Sequence, residues 1–183
     1  MKKKLKNTLQ GKKIAILLTD GFEEVEMTKP REALIKAGAK TFIITPKGKK
    51  VKSWQHDKWG KNFKVSMNLK NALPKNFDGI LLPGGVMNPD KLRTDKNAIK
   101  FVNYFLTHEK PIAAICHGPW TLIETGKIKD IKLTSYHSIK SDLLNAGAKW
   151  VNKKFVRDKN LLTSRSPKDL PVFNKEIIKL FIK

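Results

Sequence analysis

The chain contains little cysteine, arginine and acid. Its 183 residues include one cysteine, Cys116, so no disulfide can form within the chain, which favours a reducing compartment. Lys and Arg number 38 against 16 Asp and Glu, a net charge of +22, but only four of the 38 are Arg. Arg is the residue that base and phosphate recognition favours, and the lysines are spread along the whole chain. We therefore interpret the charge as a solvated surface and expect nucleic-acid binding to be weak and non-specific at most.

Long apolar runs and nucleotide-binding motifs are also missing. No run approaches the roughly 18 apolar residues of a membrane span. The basic residues 1–13 lack the apolar segment of a secretory signal, so we expect a cytoplasmic protein with no membrane partner. No G-x-x-x-x-G-K-[ST] or G-x-G-x-x-G motif occurs, and His56, His108 and His137 have no metal-ligand spacing. We expect neither a cofactor nor a metal.

Strand-like and helix-like segments alternate along the chain. Buried strands are predicted at residues 14–19, 41–45, 78–82, 112–115, 132–136, 150–151 and 161–164. Helices are predicted at residues 28–37, 97–107, 138–146 and 170–181, with a further helix after Cys116. Residues 51–65 break the alternation and are expected to form a small hairpin or a loop near the site. The pattern predicts an α/β fold with a doubly wound, mostly parallel sheet and helices on both faces, in one domain at 14–183 after a flexible basic arm at 1–13.

The most informative segment, residues 111–126, places Cys116 at the end of a buried strand. Small or β-branched residues precede it, and Gly118 and Pro119 follow, which predicts a strand–turn–helix corner of the nucleophile-elbow type. A thiol at such a corner faces the positive end of a helix, so we expect its pKa to be depressed. The alternative is an inert buried cysteine that only fills space.

Two other loops follow predicted strands and should reach the same edge of the sheet. One carries Glu23 and Glu24, whose carboxyl groups could share or shuttle a proton with the thiol, although acids are also common at helix starts. The other begins at Gly84 and Gly85, whose N–H groups could form an oxyanion hole or belong to an ordinary turn. His117 directly follows the thiol and is a candidate base.

Three segments of the chain, AICHGP at 114–119, LPGG at 82–85 and GFEEVE at 21–26, together resemble the ThiJ/PfpI superfamily. The likeness is to its PfpI-like intracellular protease branch, and it extends almost from end to end. It implies a flavodoxin-like fold related to class I glutamine amidotransferases. It also implies that Cys116 is the nucleophile and that Glu23 hydrogen-bonds the thiol.

The same resemblance implies a triad that is completed across subunits. His117 would be the partner of the thiol, and the third member would come from a neighbouring subunit, here Asp90 on the loop after the glycine pair. A homo-oligomer, a dimer or a hexamer, is therefore expected. Gly84, Gly85 and the His117 backbone are expected to supply oxyanion N–H groups.

The expected activity is that of a cysteine-dependent stress-response hydrolase or lyase. Its substrates would be small carbonyl compounds, glycated proteins or peptides, as for a deglycase, a glyoxalase or an intracellular protease. Candidate pocket residues are Tyr136, Trp120 and His56. The alternative is a non-catalytic redox sensor or holdase chaperone that uses oxidation of Cys116.

Overall fold

The computed structural model describes residues 7–182, which fold around a central sheet of seven strands. The strands of the described part are β1 Lys13–Leu17, β2 Phe22–Glu23, β3 Lys40–Thr45, β4 Lys50–Gln55, β5 Lys58–Lys64, β6 Met67–Asn68, β7 Gly79–Leu82, β8 Ile112–Ile115, β9 Lys132–Leu133, β10 Lys149–Trp150, β11 Phe155–Asp158 and β12 Leu161–Ser164. The α-helices of the same residues are α1 Glu24–Lys36, α2 Met87–Thr94, α3 Lys96–Thr107, α4 Trp120–Ile123, α5 Lys140–Asn145 and α6 Leu170–Phe181.

The central sheet has the order β11-β12-β8-β7-β1-β3-β6. Every neighbouring pair in it is parallel except β11 with β12, which is antiparallel. The carboxyl ends of β1, β7 and β8 therefore meet at one edge, in the middle of the sheet, where parallel α/β sheets bind ligands. The predicted fold class is confirmed.

Two apolar cores lie on opposite faces of the sheet. Ile14 and Ile16 of β1 belong to the core under α1 and α6, whereas Ala15 and Leu17 belong to the core under α3, α4 and α5. This alternation follows from the two-residue period of a strand. Phe105 is among several fully buried aromatic side chains, each of which contributes about 1.5–3 kcal/mol to folding.

The segment that breaks the alternation is a β-hairpin, one of the two forms that the sequence left open. It consists of β4 and β5, which pair antiparallel, and β2 joins it by pairing parallel with β4. This small sheet rests beside the carboxyl edge of the central sheet, because β2 directly follows the loop after β1. The hairpin is therefore attached to the loop that carries the acidic residues.

Part of the predicted basic arm is folded. Residues 1–6 lie outside the described residues, but Leu9 is fully buried and its N–H donates to the carbonyl of Ala37 at 2.8 Å. The boundary predicted at residue 13 is thus too late, because Leu9 supplies an apolar anchor within a stretch of lysines.

Two helices also differ from the prediction: α2 was not predicted, and α1 begins earlier than predicted. The loop after the glycine pair forms α2, because the buried Asn88 side chain ties it down: Oδ1 accepts the Thr19 N–H at 2.8 Å, and Nδ2 donates to the Pro83 carbonyl at 2.9 Å. Helix α1 begins at Glu24, four residues before its predicted start. Within residues 7–182, the helices are all too short or too polar to cross a membrane.

Candidate active site

Cys116 lies at the corner between β8 and α4, with a backbone φ of 61°. Positive φ is costly for a residue with a side chain, so the surroundings must hold it. The Cys116 N–H donates to the Ser164 carbonyl at 3.0 Å, and the Cys116 carbonyl accepts the Tyr136 N–H at 2.9 Å. This is the strained turn that a nucleophile elbow requires, and it directs the thiol into the cleft at the carboxyl edge.

Glu26, and not Glu23, is the carboxyl group that interacts with the thiol. Its Oε2 accepts the Gly84 N–H at 2.9 Å, and its buried Oε1 has no hydrogen-bond partner among the described residues. The expectation for Glu23 is wrong because α1 begins at Glu24, which turns Glu26 toward the sheet. Glu23 precedes the helix and lines the cavity instead.

Glu26 carries its proton at neutral pH. Burial raises the pKa of its carboxyl group to about 8, and the charge of Glu23 acts in the same direction. The side chain is 0% exposed, so an ionised carboxylate there would be poorly solvated.

The predicted depressed pKa of the Cys116 thiol is contradicted. Burial raises the pKa of this thiol, and Glu26 raises it further once it is ionised, while the N–H groups of His117 and Gly85 act in the opposite direction. The helix argument fails because α4 has only four residues, too few for a strong dipole. The resting site therefore holds a thiol that must lose its proton during the reaction.

His117 is positioned to take that proton. Its Nδ1 lies 3.2 Å from the Cys116 sulfur, and its Nε2 lies 2.9 Å from the Ser138 hydroxyl oxygen. The ring stacks on Tyr136 with 4.9 Å between centroids. Burial lowers the pKa of the imidazole, and the positive charge of His137 lowers it further. A neutral imidazole in contact with a thiol can act as a base.

The predicted oxyanion role of the Gly85 and His117 N–H groups stays a prediction. The N–H groups of Gly85 and His117 both act on the sulfur, and an oxygen formed beside it could bind there. The predicted oxyanion role of Gly84 is wrong, because its N–H is already donated to Glu26. Its lack of a side chain matters instead, since a Cβ would lie 2.5 Å from Glu26 Oε2 and 2.7 Å from Cys116 Cβ.

A cavity of about 590 Å³ opens in front of the thiol. Two of the predicted pocket residues, Tyr136 and His56, line it. The prediction that Trp120 lines the pocket is wrong. Trp120 lies outside the lining and packs toward α2, with the Arg93 guanidinium 4.7 Å from its ring. Lining residues that the sequence did not single out are Trp54, Val86, Met87, Ser138 and Pro167.

Glu24 holds the hairpin that carries the lining residues Trp54 and His56. The Ser53 hydroxyl donates to Glu24 Oε2 at 2.6 Å, and the Lys61 N–H donates to the same oxygen at 3.1 Å. The Ser53 hydrogen bond lowers the pKa of the Glu24 carboxyl group. Gly60 makes room for this contact, since a Cβ there would lie 2.6 Å from Glu24 Oε2.

Asp90 is exposed on α2 and lies outside the cavity lining of its own chain. Its predicted role, and with it the homo-oligomer, concerns a second subunit and stays a prediction. In one chain, the outer nitrogen of His117 contacts Ser138 instead. Across residues 7–182, His, Cys, Asp and Glu side chains form no group of three that could hold a metal ion.

Glu26 and Ser138 are the site residues that sequence reasoning missed. For Glu26 a signal exists: Glu26, Pro30 and Leu34 are spaced four residues apart and all are buried, so a carboxyl group occupies the core-facing stripe of α1. For Ser138 there is none, because the contact joins residues 21 apart in the sequence.

Comparison with known proteins identifies relatives of the chain. A model of the DJ-1/PfpI family matches residues 12–180. An uncharacterized protein of Staphylococcus saprophyticus is 43% identical over 170 residues, covering 92% of this chain and 96% of that protein. "Putative cysteine protease YraA" of Bacillus subtilis is 40% identical over 170 residues, covering 93% of this chain and 98% of YraA.

Solved structures give the same assignment. Drosophila melanogaster DJ-1beta has a TM-score of 0.84 at 29% identity, covering 94% of this chain and 91% of that one. A two-domain protein of Anabaena variabilis, with DJ-1/ThiJ/PfpI-like and ferritin-like domains, has a TM-score of 0.86 at 33% identity over 92% of this chain, which spans 47% of the two-domain protein. The predicted resemblance is confirmed, and the chain belongs to the DJ-1/PfpI family.

Proposed function

We propose that this protein is a cysteine-dependent enzyme that acts on reactive carbonyl compounds, in particular 2-oxoaldehydes such as methylglyoxal and their early adducts on proteins. The observation that carries the proposal is the Cys116 thiol, which lies between a neutral base and a protonated acid. His117 Nδ1 is 3.2 Å from the sulfur, and Glu26, with a pKa of about 8, interacts with it from α1.

The first step would be addition of the thiol to the aldehyde. The proton of Cys116 moves to His117 Nδ1, the sulfur forms a bond to the aldehyde carbon, and the carbonyl π electrons move to oxygen. The resulting alkoxide would be held by the N–H groups of Gly85 and His117, which act on the sulfur in the resting site. Proton transfer from Glu26 gives a neutral hemithioacetal.

The second stage would move a proton between adjacent carbons. The Glu26 carboxylate removes the proton on the former aldehyde carbon while the protonated His117 gives its proton to the neighbouring carbonyl oxygen, which yields an enediol. Glu26 then gives its proton to the neighbouring carbon, and the hydroxyl on the former aldehyde carbon returns a proton to His117, which yields a thioester. An acid with a pKa close to the working pH suits such two-way transfer. Water then hydrolyses the thioester to a 2-hydroxy acid and restores the thiol. One carbon is oxidised and its neighbour reduced, so no external oxidant or reductant is consumed.

The histidine environment favours this chemistry over peptide hydrolysis. A protease triad stabilises the imidazolium form with a carboxylate. Here the partner of His117 Nε2 in the chain is the neutral Ser138 hydroxyl, and burial lowers the pKa of the ring. Peptidase activity is the second candidate, because the relative YraA carries a cysteine protease name. It would depend on a carboxylate from outside this chain.

A third candidate is a redox sensor. Peroxide would oxidise the Cys116 thiolate to a sulfenate and then, with a second peroxide, to a sulfinate, releasing one water each time. Protonated Glu26 could donate to a sulfinate oxygen. This candidate predicts oxidation of Cys116 without steady-state product.

The experiment that tests the proposal compares three substrates. Purified wild-type protein and Cys116→Ala are incubated with methylglyoxal, a glycated peptide and casein, and 2-hydroxy acid, deglycated peptide and cleaved casein are quantified. We expect turnover of methylglyoxal or of the glycated peptide, complete loss in Cys116→Ala, and no casein cleavage. Equal turnover by both proteins would remove the thiol from the mechanism, and casein cleavage alone would favour the peptidase.

A further inference from the structure

The cavity in front of Cys116 is much larger than methylglyoxal needs. Its volume of about 590 Å³ falls within the range of pockets that bind drug-sized ligands. Cys116 itself is 7% exposed, so the thiol meets substrate only through this cavity. A small aldehyde would leave most of the space to water.

One wall of the cavity is an aromatic ring on the hairpin. Trp54 lies on β4, and its indole N–H donates to the His56 carbonyl at 2.8 Å. Because the polar atom of the ring is satisfied within the hairpin, the rest of Trp54 offers an apolar surface. Trp59 packs edge-on against it with 5.4 Å between centroids.

This wall is fixed before substrate arrives. Glu24 holds the hairpin through Ser53 and Lys61, and the Lys52 N–H donates to Asp20 Oδ1 at 2.7 Å. These hydrogen bonds connect both strands of the hairpin to the loop that contains Asp20 and to α1, the helix that carries Glu26. Because the hairpin does not have to be ordered when substrate binds, less of the free energy of apolar contact is lost to ordering.

The accessible surface of the remaining lining is mostly apolar, and Glu23, His56 and Ser138 are polar residues within it. Val86 is 56% exposed beside the oxyanion glycine, and Met87 follows it in the first turn of α2. Gly21 leaves room for Met87, since a Cβ on that glycine would lie 2.6 Å from the methionine Cβ. Tyr136 and Pro167 line the cavity as well.

We propose that the site takes aldehydes that carry an aromatic or other bulky apolar substituent, and that Trp54 is the side chain that selects this substituent. The choice of aldehydes rests on the proposed function, whereas the choice of substituent rests on the cavity alone. The substituent would lie against Trp54 while the carbonyl reaches Cys116. Small changes in apolar substrate size already alter specificity by about tenfold or more in hydrophobic pockets.

The test uses two alkylating agents with the same reactive group. Rate constants for modification of Cys116 by iodoacetamide and N-benzyl iodoacetamide are measured in wild type, Trp54→Ala and Trp59→Ala, each divided by the value for free cysteine. Trp59 lies outside the cavity lining, so Trp59→Ala loosens the same hairpin without removing a wall.

We expect the wild type to prefer the benzyl reagent by about tenfold or more, Trp54→Ala to lose that preference, and Trp59→Ala to keep most of it. A wild-type ratio equal to that of free cysteine, or an unchanged ratio in Trp54→Ala, would overturn the proposal. If both variants lost the preference for the benzyl reagent equally, the preference would depend on the ordered conformation of the hairpin. That result would also overturn the role of Trp54.

A second arm separates this inference from the proposed function. Initial rates with phenylglyoxal and methylglyoxal are compared, and we expect a higher kcat/KM for phenylglyoxal. If neither aldehyde is turned over but the alkylation preference holds, the proposed function fails and the apolar recognition stands. If both are turned over equally and no alkylation preference exists, the function stands and this inference fails.

Discussion

Glu24 and Glu26 are both in the first turn of α1, and both are buried, at 8% and 0% exposure. Glu24 accepts hydrogen bonds from a hydroxyl and an amide, and the Ser53 bond lowers its pKa. Glu26 interacts with the N–H groups of Gly84 and Gly85 and with the Cys116 thiol, yet burial raises its pKa to about 8. The difference shows that the depth of burial, set against the donors around the carboxyl group, decides whether it serves as a structural anion or as an acid.

The largest effect is expected when the acid of this pair is removed. Glu26→Gln keeps the size of the side chain and can still accept the Gly84 N–H, but it cannot exchange a proton. We expect the turnover rate to fall by about 10² to 10⁴. Glu23→Gln, which changes a lining carboxyl group that does not contact the thiol, should cost much less. Steady-state kinetics that rank the two variants in the opposite order would restore the role that the sequence suggested for Glu23.

The pH dependence of the rate should follow the same acid. Wild-type activity should decline as pH rises through about 8, because Glu26 loses its proton and its charge then opposes a thiolate. On the acid side, activity should fall only below the usual pKa of histidine, since burial lowers the pKa of His117. A pH–rate profile with no alkaline limb near 8 would contradict the assignment of Glu26.

The stabilities of Glu26→Gln and Glu24→Gln, each measured relative to wild type, should depend on pH in opposite ways. The raised pKa of Glu26 means that the folded wild type binds more protons than the unfolded chain between about 4.5 and 8, so its stability falls as pH rises through that window. Glu26→Gln should therefore gain stability relative to wild type from pH 5 to pH 8. Urea unfolding at several pH values measures this difference.

Glu24→Gln is the matched control for that experiment. The lowered pKa of Glu24 contributes stability above the ordinary value of 4.5, and that stability is lost as pH falls through the folded pKa. The variant should be less stable than wild type by about 1–3 kcal/mol at pH 7, because hydrogen bonds to a charged group are lost. The difference should shrink in acid. If both variants shifted alike with pH, the two glutamates would not differ as described.

These effects also show what the sequence could and could not predict. The elbow at Cys116 was predictable because its signal is local: a buried strand, a thiol and two turn residues in succession. The choice between Glu23 and Glu26 was not, because it depends on the residue at which α1 begins, and the Glu23 side chain makes no cap hydrogen bond that would mark this start. The wall formed by Trp54 depends on pairing between β2 and β4, which no short segment encodes.

A smaller effect is expected at the far side of the imidazole. Ser138 is exposed, so water can replace part of its contact with His117 Nε2, and Ser138→Ala should slow turnover by only about tenfold or less. Ser138→Asp should instead raise the pKa of His117 and move the acid limb of the pH–rate profile upward. The neighbouring exposed Ser141 provides the control, Ser141→Ala. An acid limb that does not move in Ser138→Asp would exclude the contact in solution.

The smallest effect is expected at Asp90. If the site is complete within one chain, Asp90→Asn should leave kcat within about twofold of wild type, as surface changes away from a site usually do. Sedimentation measured alongside reports whether the protein self-associates. A large loss of activity in an oligomer would show that a neighbouring subunit completes the triad, as the family resemblance implied.

The central claim is that Glu26 is protonated beside the thiol at neutral pH. The most direct measurement is a pH titration of the side-chain carboxyl carbons by ¹³C NMR, with Glu26→Gln used to assign the resonance. The account predicts a carboxyl signal that titrates with a midpoint of about 8 and is missing from the variant. Glutamate signals that all titrate near the ordinary value of 4.5 would contradict it.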